Sequence, residues 1–122
     1  MHKKILIVED QEDTLLAVET LLVCSNFKCR GAFSRDEARD ILRDGFIPDC
    51  VIMDYYMPGM GLGEFLDQSS NLVLQVILTT AAMNADEVAQ RFGIRHVLRK
   101  PIEGDRLISI VQQVANHNAA SV

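Results

Sequence analysis

Residues 5–10 read ILIVED, an uninterrupted apolar run that ends in two carboxylates. Three later stretches repeat this arrangement, with polar groups at or just after the end of an apolar run: residues 51–54 (VIMD), 76–80 (VILTT) and 97–101 (VLRKP). Apolar runs without alternation are typical of parallel strands that are covered on both faces. If these runs are neighbouring parallel strands, their polar groups meet at one edge of the sheet, where ligands bind in such folds.

Helical patterns separate the strand-like runs. Leu15, Val18 and Leu22 fall on one stripe of a helix predicted over residues 12–25. Ser34 and Glu37 form a capping-box pattern that begins a second helix. The remaining elements are predicted by the same patterns: a weak strand at 28–32, a short helix at 64–68, strands at 74–79 and 95–99, and helices ending at Gly93 and about Asn116. Five strands alternating with five helices predict an α/β fold with a doubly wound parallel sheet.

The composition fits one ordinary domain. The chain has 122 residues with a formal net charge of −5, and we expect a single domain over residues 1–122 with a frayed tail at 117–122. The acidic balance makes nucleic acid and membrane surfaces improbable direct partners. The first residues lead straight into a strand-like run that is too short for the apolar part of a signal peptide, so we expect a cytoplasmic protein.

The three cysteines, Cys24, Cys29 and Cys50, contain no Cys-x-x-Cys pair. In a reducing compartment they are predicted to be buried or half-buried free thiols. A zinc site is not supported, because the histidines do not cluster with the cysteines in the sequence.

Three carboxylates are predicted to crowd together at the sheet edge: Glu9, Asp10 and Asp54. Such a cluster resists ionisation unless a cation is present, and Mg²⁺, or Mn²⁺ in its place, takes the oxygen ligands offered here. Each acid could instead cap a helix or face solvent in a loop. That interpretation suits Glu12 and Asp13, which fall in the first turn of a predicted helix. The position of the other three after buried strands favours a metal site.

Hydroxyl and ammonium groups complete the predicted edge. Thr79 and Thr80 could hydrogen-bond a phosphoryl oxygen, although β-propensity alone would also explain threonine here. Lys100 could neutralise phosphoryl charge or pair with a carboxylate, and its place before Pro101, directly after a strand, distinguishes it from an ordinary surface lysine. Glycine-rich nucleotide-binding motifs are absent from the sequence, so nucleotide binding is not supported.

Taken together and in this order, these motifs resemble the receiver domain of two-component response regulators. The resemblance extends from Ile5 to about Val114 and rests on ILIVED, on VIMDYYMPGM at 51–60, on ILTTA at 77–81 and on the Lys-Pro pair. It implies a flavodoxin-like fold with strand order 2-1-3-4-5. It also implies a phosphoacceptor signalling domain, not an enzyme, which catalyses its own phosphotransfer and dephosphorylation.

The resemblance assigns the acidic cluster its roles. Asp54 would be the phosphoacceptor, attacking a phosphohistidine donor in line. Glu9, Asp10 and Asp54 would hold Mg²⁺ together with the backbone carbonyl of Tyr56, whose bulky ring is expected to influence the rate of dephosphorylation.

The resemblance assigns the remaining groups as well. Thr80 would bind a phosphoryl oxygen and report the phosphorylated state. Lys100 would contact the phosphoryl group, and its bond to Pro101 would be cis. The implied partners are a sensor histidine kinase or a histidine phosphotransfer protein, with the downstream target undetermined. Phosphoryl transfer asks a protein mainly for positioning and charge neutralisation, which this set supplies.

The chain departs from the family pattern in two places. Gly61-Leu62 stands where receivers often carry Asp-Gly, so the loop there is predicted to differ in shape and to lead into a short helix. Val97 stands where the family usually has the Tyr or Phe that swings inward on activation. Two alternatives follow: a pseudo-receiver that binds proteins without phosphorylation, and a Mg²⁺-dependent small-molecule phosphatase. The phosphatase usually needs a second acid at the position of Tyr56.

Overall fold

Five parallel strands form the single sheet of the computed structural model, which describes residues 2–120. Their order is 2-1-3-4-5, as the resemblance implies. The strands are β1 (Lys4–Val8), β2 (Lys28–Ala32), β3 (Cys50–Asp54), β4 (Val76–Thr80) and β5 (His96–Arg99). The helices are α1 (Glu12–Cys24), α2 (Arg35–Arg43), α3 (Leu62–Gln68), α4 (Ala85–Phe92) and α5 (Gly104–Ala120). The predicted doubly wound fold is therefore confirmed.

Both faces of the sheet are buried, which explains why the strands are continuously apolar. Leu6 and Val8 of β1 face a core formed with α2, α3 and α4, whereas Ile5 and Ile7 face a second core formed with α1 and α5. All four are at most 1% exposed. Burial of each such side chain contributes about 1.5–3 kcal/mol, so these two layers fix the position of every strand end.

Helix ends follow the predicted signals at several points. The Ser34 hydroxyl accepts a hydrogen bond of 3.0 Å from the Glu37 N–H, and Gly93 adopts the left-handed conformation (φ 74°) that ends α4. Asn26 also has a positive φ, 70°, just after α1. These residues supply caps that the helix backbone cannot supply for itself.

Three elements differ from the prediction. A 3₁₀ helix (Ser70–Gln75) occupies the stretch predicted as a loop and the beginning of a strand, because this turn buries Leu72 in the core. Helix α3 begins at Leu62, two residues early, and buries that side chain too. Helix α5 continues past Asn116 to Ala120. The end of the predicted tail, residues 121–122, lies outside the described residues.

The cysteines are free thiols with different exposure. Cys50 is buried and Cys29 half-buried, but Cys24 is exposed, contrary to the prediction, because it is the last residue of α1. Burial raises the pKa of the Cys29 thiol to about 11, with a further contribution from the charge of Glu19. These cysteines therefore have no evident part in the site described below.

Candidate functional site

Three carboxylates meet at the carboxyl edge of the sheet. Glu9 and Asp10 follow β1, and Asp54 is the last residue of β3, the strand that pairs with β1. One oxygen of each lies within 4.8 Å of the others. Glu9 and Asp54 are 4% and 6% exposed, and Asp10 is exposed. The predicted acidic cluster is therefore present, with one member open to solvent.

Lys100 supplies the positive charge of the site. Its Nζ donates to Glu9 Oε1 at 3.0 Å and to Asp54 Oδ2 at 3.2 Å. The backbone N–H of Lys100 donates to the carbonyl of Thr80 at 2.9 Å, which ties the end of β5 to the end of β4. The Lys100–Pro101 peptide is cis, as the resemblance implies. One ammonium is thus shared by two buried carboxylates.

The single ammonium of Lys100 faces two buried carboxylates, and the pKa shifts of the cluster reflect this balance. Burial raises the pKa of Glu9, and this effect outweighs the hydrogen bond from Lys100. Burial also disfavours the Lys100 ammonium, but the hydrogen bond from that ammonium to Glu9 and the charge of Asp54 dominate and raise its pKa. The two shifts are compatible, because Lys100 faces two carboxylates whereas Glu9 has only a share of one ammonium.

The donor set suits a hard divalent cation. Its side-chain ligands are carboxylate oxygens, the ligands that Mg²⁺ prefers. An added dication would also relieve the repulsion that contributes to the raised pKa of Glu9, where the charge of Asp54 acts. The residues present therefore fit a Mg²⁺ site in both chemistry and charge.

The two threonines at the end of β4 are both buried. Thr79 is the register partner of Asp54, and its carbonyl accepts a hydrogen bond of 2.9 Å from the Tyr55 N–H. Thr80 is the last residue of the strand, and its hydroxyl accepts a hydrogen bond of 3.0 Å from the Ala82 N–H. The Thr80 hydroxyl is therefore engaged with the loop that follows β4.

Tyr56 lies on the loop that directly follows Asp54. Its side chain is 61% exposed, and its ring lies 5.0 Å from the ring of Tyr55, centroid to centroid. The predicted ligand from this residue is its backbone carbonyl, so the path of the loop decides where that oxygen points.

Arg35 is a site neighbour that the sequence analysis missed. It is 2% exposed, and its Nη2 donates to the carbonyls of Asp54 at 2.9 Å and Tyr55 at 2.7 Å. Its Nη1 donates to the carbonyl of Met60 at 3.1 Å. One signal could have revealed it: a basic residue in the first turn of a helix, where acids are favoured, needs another reason to be there.

The sequence of this chain matches a known protein family. Residues 5–112 match the model of the response regulator receiver domain. The chain belongs to this family. A receiver domain acts in two-component phosphorelay signal transduction, which agrees with an acidic cluster and a lysine at the strand ends.

Individual relatives agree with the family match. The receiver is 29% identical over 118 residues to the polar-differentiation response regulator DivK of Brucella ovis, covering 92% of this chain and 95% of that protein. A Clostridium thermocellum receiver domain protein superposes with a TM-score of 0.86 at 24% identity, over 98% of this chain and 99% of that one.

A longer protein contains the same fold. NtrX from Brucella abortus matches 99% of this receiver with a TM-score of 0.86 and 25% identity, and the match covers 29% of the NtrX chain. Among residues 2–120, no helix is both long and apolar enough to cross a membrane.

Proposed function

We propose that this receiver accepts a phosphoryl group on Asp54. The observation that carries the proposal is the position of that carboxylate, which ends β3, lies in the acidic cluster and receives a hydrogen bond of 3.2 Å from Lys100. Phosphoryl transfer needs a nucleophile held in place and charge neutralised around the moving group. Asp54 supplies the nucleophile, and Lys100 supplies part of the neutralising charge.

Glu9, Asp10 and Asp54 would hold Mg²⁺, with the backbone carbonyl of Tyr56 as a further ligand. When bound, this ion neutralises negative charge on the phosphoryl oxygens. Asp10, the exposed member, is open to the hydrated ion, and Mg²⁺ keeps several of its waters in such sites. The buried Glu9 accepts hydrogen bonds from Lys100 and, at 3.1 Å, from the Gln11 N–H. These bonds hold its carboxylate in place beside the ion.

The phosphoryl donor is a phosphohistidine of a sensor histidine kinase or a histidine phosphotransfer protein. A carboxylate oxygen of Asp54 forms the new P–O bond while the P–N bond of the phosphohistidine breaks. The imidazole leaves with the electron pair of that bond and takes its proton from solvent. Thr80 then hydrogen-bonds a phosphoryl oxygen, and Lys100 moves its ammonium from the carboxylates to the phosphoryl group.

This chemistry makes the chain a signalling domain that modifies itself, and we place it in the cytoplasm with such donors. The pseudo-receiver alternative is not favoured, since Glu9, Asp10, Asp54 and Lys100 all meet at one edge. The small-molecule phosphatase is not favoured either, because the family match is to receivers and Tyr56 stands where a second acid is usual.

Phosphorylation with a small donor tests the proposal. The receiver is incubated with acetyl phosphate, with Mg²⁺ or with a chelator, and modification is followed by intact-mass spectrometry. We expect one phosphoryl group on the wild type with Mg²⁺ and none on Asp54→Asn. Asp67→Asn removes an exposed acid of α3 and serves as the matched control. Modification that persists in Asp54→Asn, or that ignores Mg²⁺, would contradict the assignment.

A further inference from the structure

Arg35 carries a charge in a place where charge is costly. Its guanidinium is buried, and its hydrogen bonds go to three carbonyl oxygens and to the sulfur of Met53, at 3.4 Å for the latter. Burial lowers the pKa of Arg35, opposed by the charges of Asp54 and Tyr55. Moving an ion from water into a protein interior is costly unless a counterion is hydrogen-bonded to it. What the guanidinium provides, and an apolar residue could not, is hydrogen bonds to three backbone carbonyls.

The three carbonyls bracket the loop between β3 and α3. Those of Asp54 and Tyr55 begin it, and that of Met60 comes near its end. Because a peptide unit is planar, holding two successive carbonyls fixes both peptide planes between Asp54 and Tyr56. Few rotations then remain between the Asp54 carboxylate and the Tyr56 carbonyl.

A second residue of α2 acts on the same loop. Asp36 Oδ2 accepts a long hydrogen bond of 3.4 Å from the Met60 N–H. The same oxygen lies 2.9 Å from the place where a Cβ on Gly59 would stand. The first turn of α2 therefore holds the far end of the loop through a carboxylate and both ends through the guanidinium.

We propose that Arg35 is a positioning residue of the phosphorylation site, which sets the backbone after Asp54 so that the Tyr56 carbonyl and the Asp54 carboxylate face one divalent ion together. The inference rests on the proposed function, since it concerns the same Mg²⁺ site. Arg35 acts through the loop and does not touch the ion or the phosphoryl group. In this chain the loop departs from the family pattern at Gly61-Leu62, and the guanidinium of Arg35 constrains it from α2.

The test compares Mg²⁺ affinity with fold stability. Arg35→Met removes the charge and the donors at similar length, and Arg35→Lys keeps the charge but lacks the planar fork that reaches several carbonyls. Arg43→Met makes the same charge change at an exposed position of α2. Calorimetry on the full chain measures Mg²⁺ binding, and thermal unfolding in a chelator measures stability without metal. Labelling by acetyl phosphate is then compared among the variants.

We expect Mg²⁺ binding roughly 10–100-fold weaker in Arg35→Met, the usual effect of losing a group that orients ligands. Arg35→Lys should recover only part of the loss, and Arg43→Met should bind as the wild type does. A purely structural arginine would lower the unfolding temperature in chelator and leave the Mg²⁺ dissociation constant unchanged, and that result would overturn the inference.

Two further outcomes are also decisive. If neither Arg35 variant folds, the residue serves the fold as a whole and the positioning role is rejected. If the wild type itself fails to bind Mg²⁺ or to be labelled at Asp54, the proposed function fails, and this is seen before any Arg35 variant is measured.

Discussion

Two adjacent threonines end β4, and their surroundings differ. Thr79 is paired with Asp54 in the sheet register, and its carbonyl is bound by the Tyr55 N–H. Thr80 is the last residue of the strand, where the chain turns into the next loop, and its hydroxyl accepts a hydrogen bond from the Ala82 N–H. Accepting from the Ala82 N–H does not use the O–H of Thr80, which we expect to donate to a phosphoryl oxygen.

Valine substitutions should separate the two threonines. Thr80→Val should slow labelling by acetyl phosphate roughly tenfold or more, because a hydrogen bond to a charged group contributes about 1.5–3 kcal/mol. Thr79→Val, which deletes a hydroxyl at the neighbouring buried position, should label at a rate close to that of the wild type. Initial rates by mass spectrometry decide the matter. A larger defect in Thr79→Val would reverse the assignment.

Tyr56 presents its ring to solvent beside the acceptor. We expect this bulky ring to shield an aspartyl phosphate from water, so Tyr56→Ala should lose its phosphoryl group severalfold faster than the wild type. Ile47→Ala truncates another exposed large side chain, 75% exposed, and should leave the rate unchanged. The decay of the labelled protein after donor removal is followed by intact mass. Equal decay of the wild type and Tyr56→Ala would show that the ring gives no protection.

At the scale of elements, the loop between β3 and α3 depends on the first turn of α2. Gly59 has a φ of 87°, which L side chains rarely adopt, and a Cβ there would approach Asp36 Oδ2 at 2.9 Å. Gly61 has an ordinary φ of −70°, and nothing lies within 4 Å of its Cβ position. The two glycines therefore differ in what they allow the loop to do.

Alanine at these two glycines should change stability by different amounts. Gly59→Ala should lower the free energy of unfolding by about 1–2 kcal/mol, the cost of a left-handed backbone for an L residue. Gly61→Ala should change it by less than about 0.5 kcal/mol, because reduced chain entropy and a poorer helix cap oppose each other. Urea denaturation measures both. A Gly61→Ala variant that is the less stable of the two would contradict this account of the loop.

The same elements show what the sequence could predict. The meeting of the acidic cluster and Lys100 at one edge was foreseeable. Each of these residues ends or follows a buried apolar run, and parallel strands bring their carboxyl ends together. The contact of Arg35 with the loop was not foreseeable, because it depends on how residues 55–60 turn back over α2. The 3₁₀ helix (Ser70–Gln75) was missed for a similar reason, since burial of Leu72 is a tertiary effect that no local period reveals.

For the whole molecule, occupancy of the acidic cluster by a divalent ion would bear on the stability of the fold. Two buried carboxylates share one ammonium. Burial and the charge of Asp54 raise the pKa of Glu9, although Lys100 acts to lower it. A ligand that binds only the folded state stabilises it by mass action. If Mg²⁺ binds only the folded receiver, occupancy of this sheet edge is coupled to the free energy of unfolding of the chain.

Asp10→Asn should break this coupling without harming the fold. Asp10 is exposed, so its neutralisation should leave stability in chelator unchanged or slightly higher, since one of three crowded charges is removed. Mg²⁺ at about 100 times its dissociation constant should stabilise the wild type by about 2.7 kcal/mol. The variant should lose about 1.3 kcal/mol of this if its affinity falls tenfold.

Asp13→Asn is the matched control, an exposed acid of α1 outside the cluster, and it should respond to Mg²⁺ as the wild type does. Thermal unfolding across a Mg²⁺ titration gives all three curves. If Asp10→Asn gained as much stability from Mg²⁺ as the wild type, Asp10 would not be a ligand. The ion would then have to be held by the Tyr56 carbonyl and the two buried carboxylates, which Lys100 already contacts from one side.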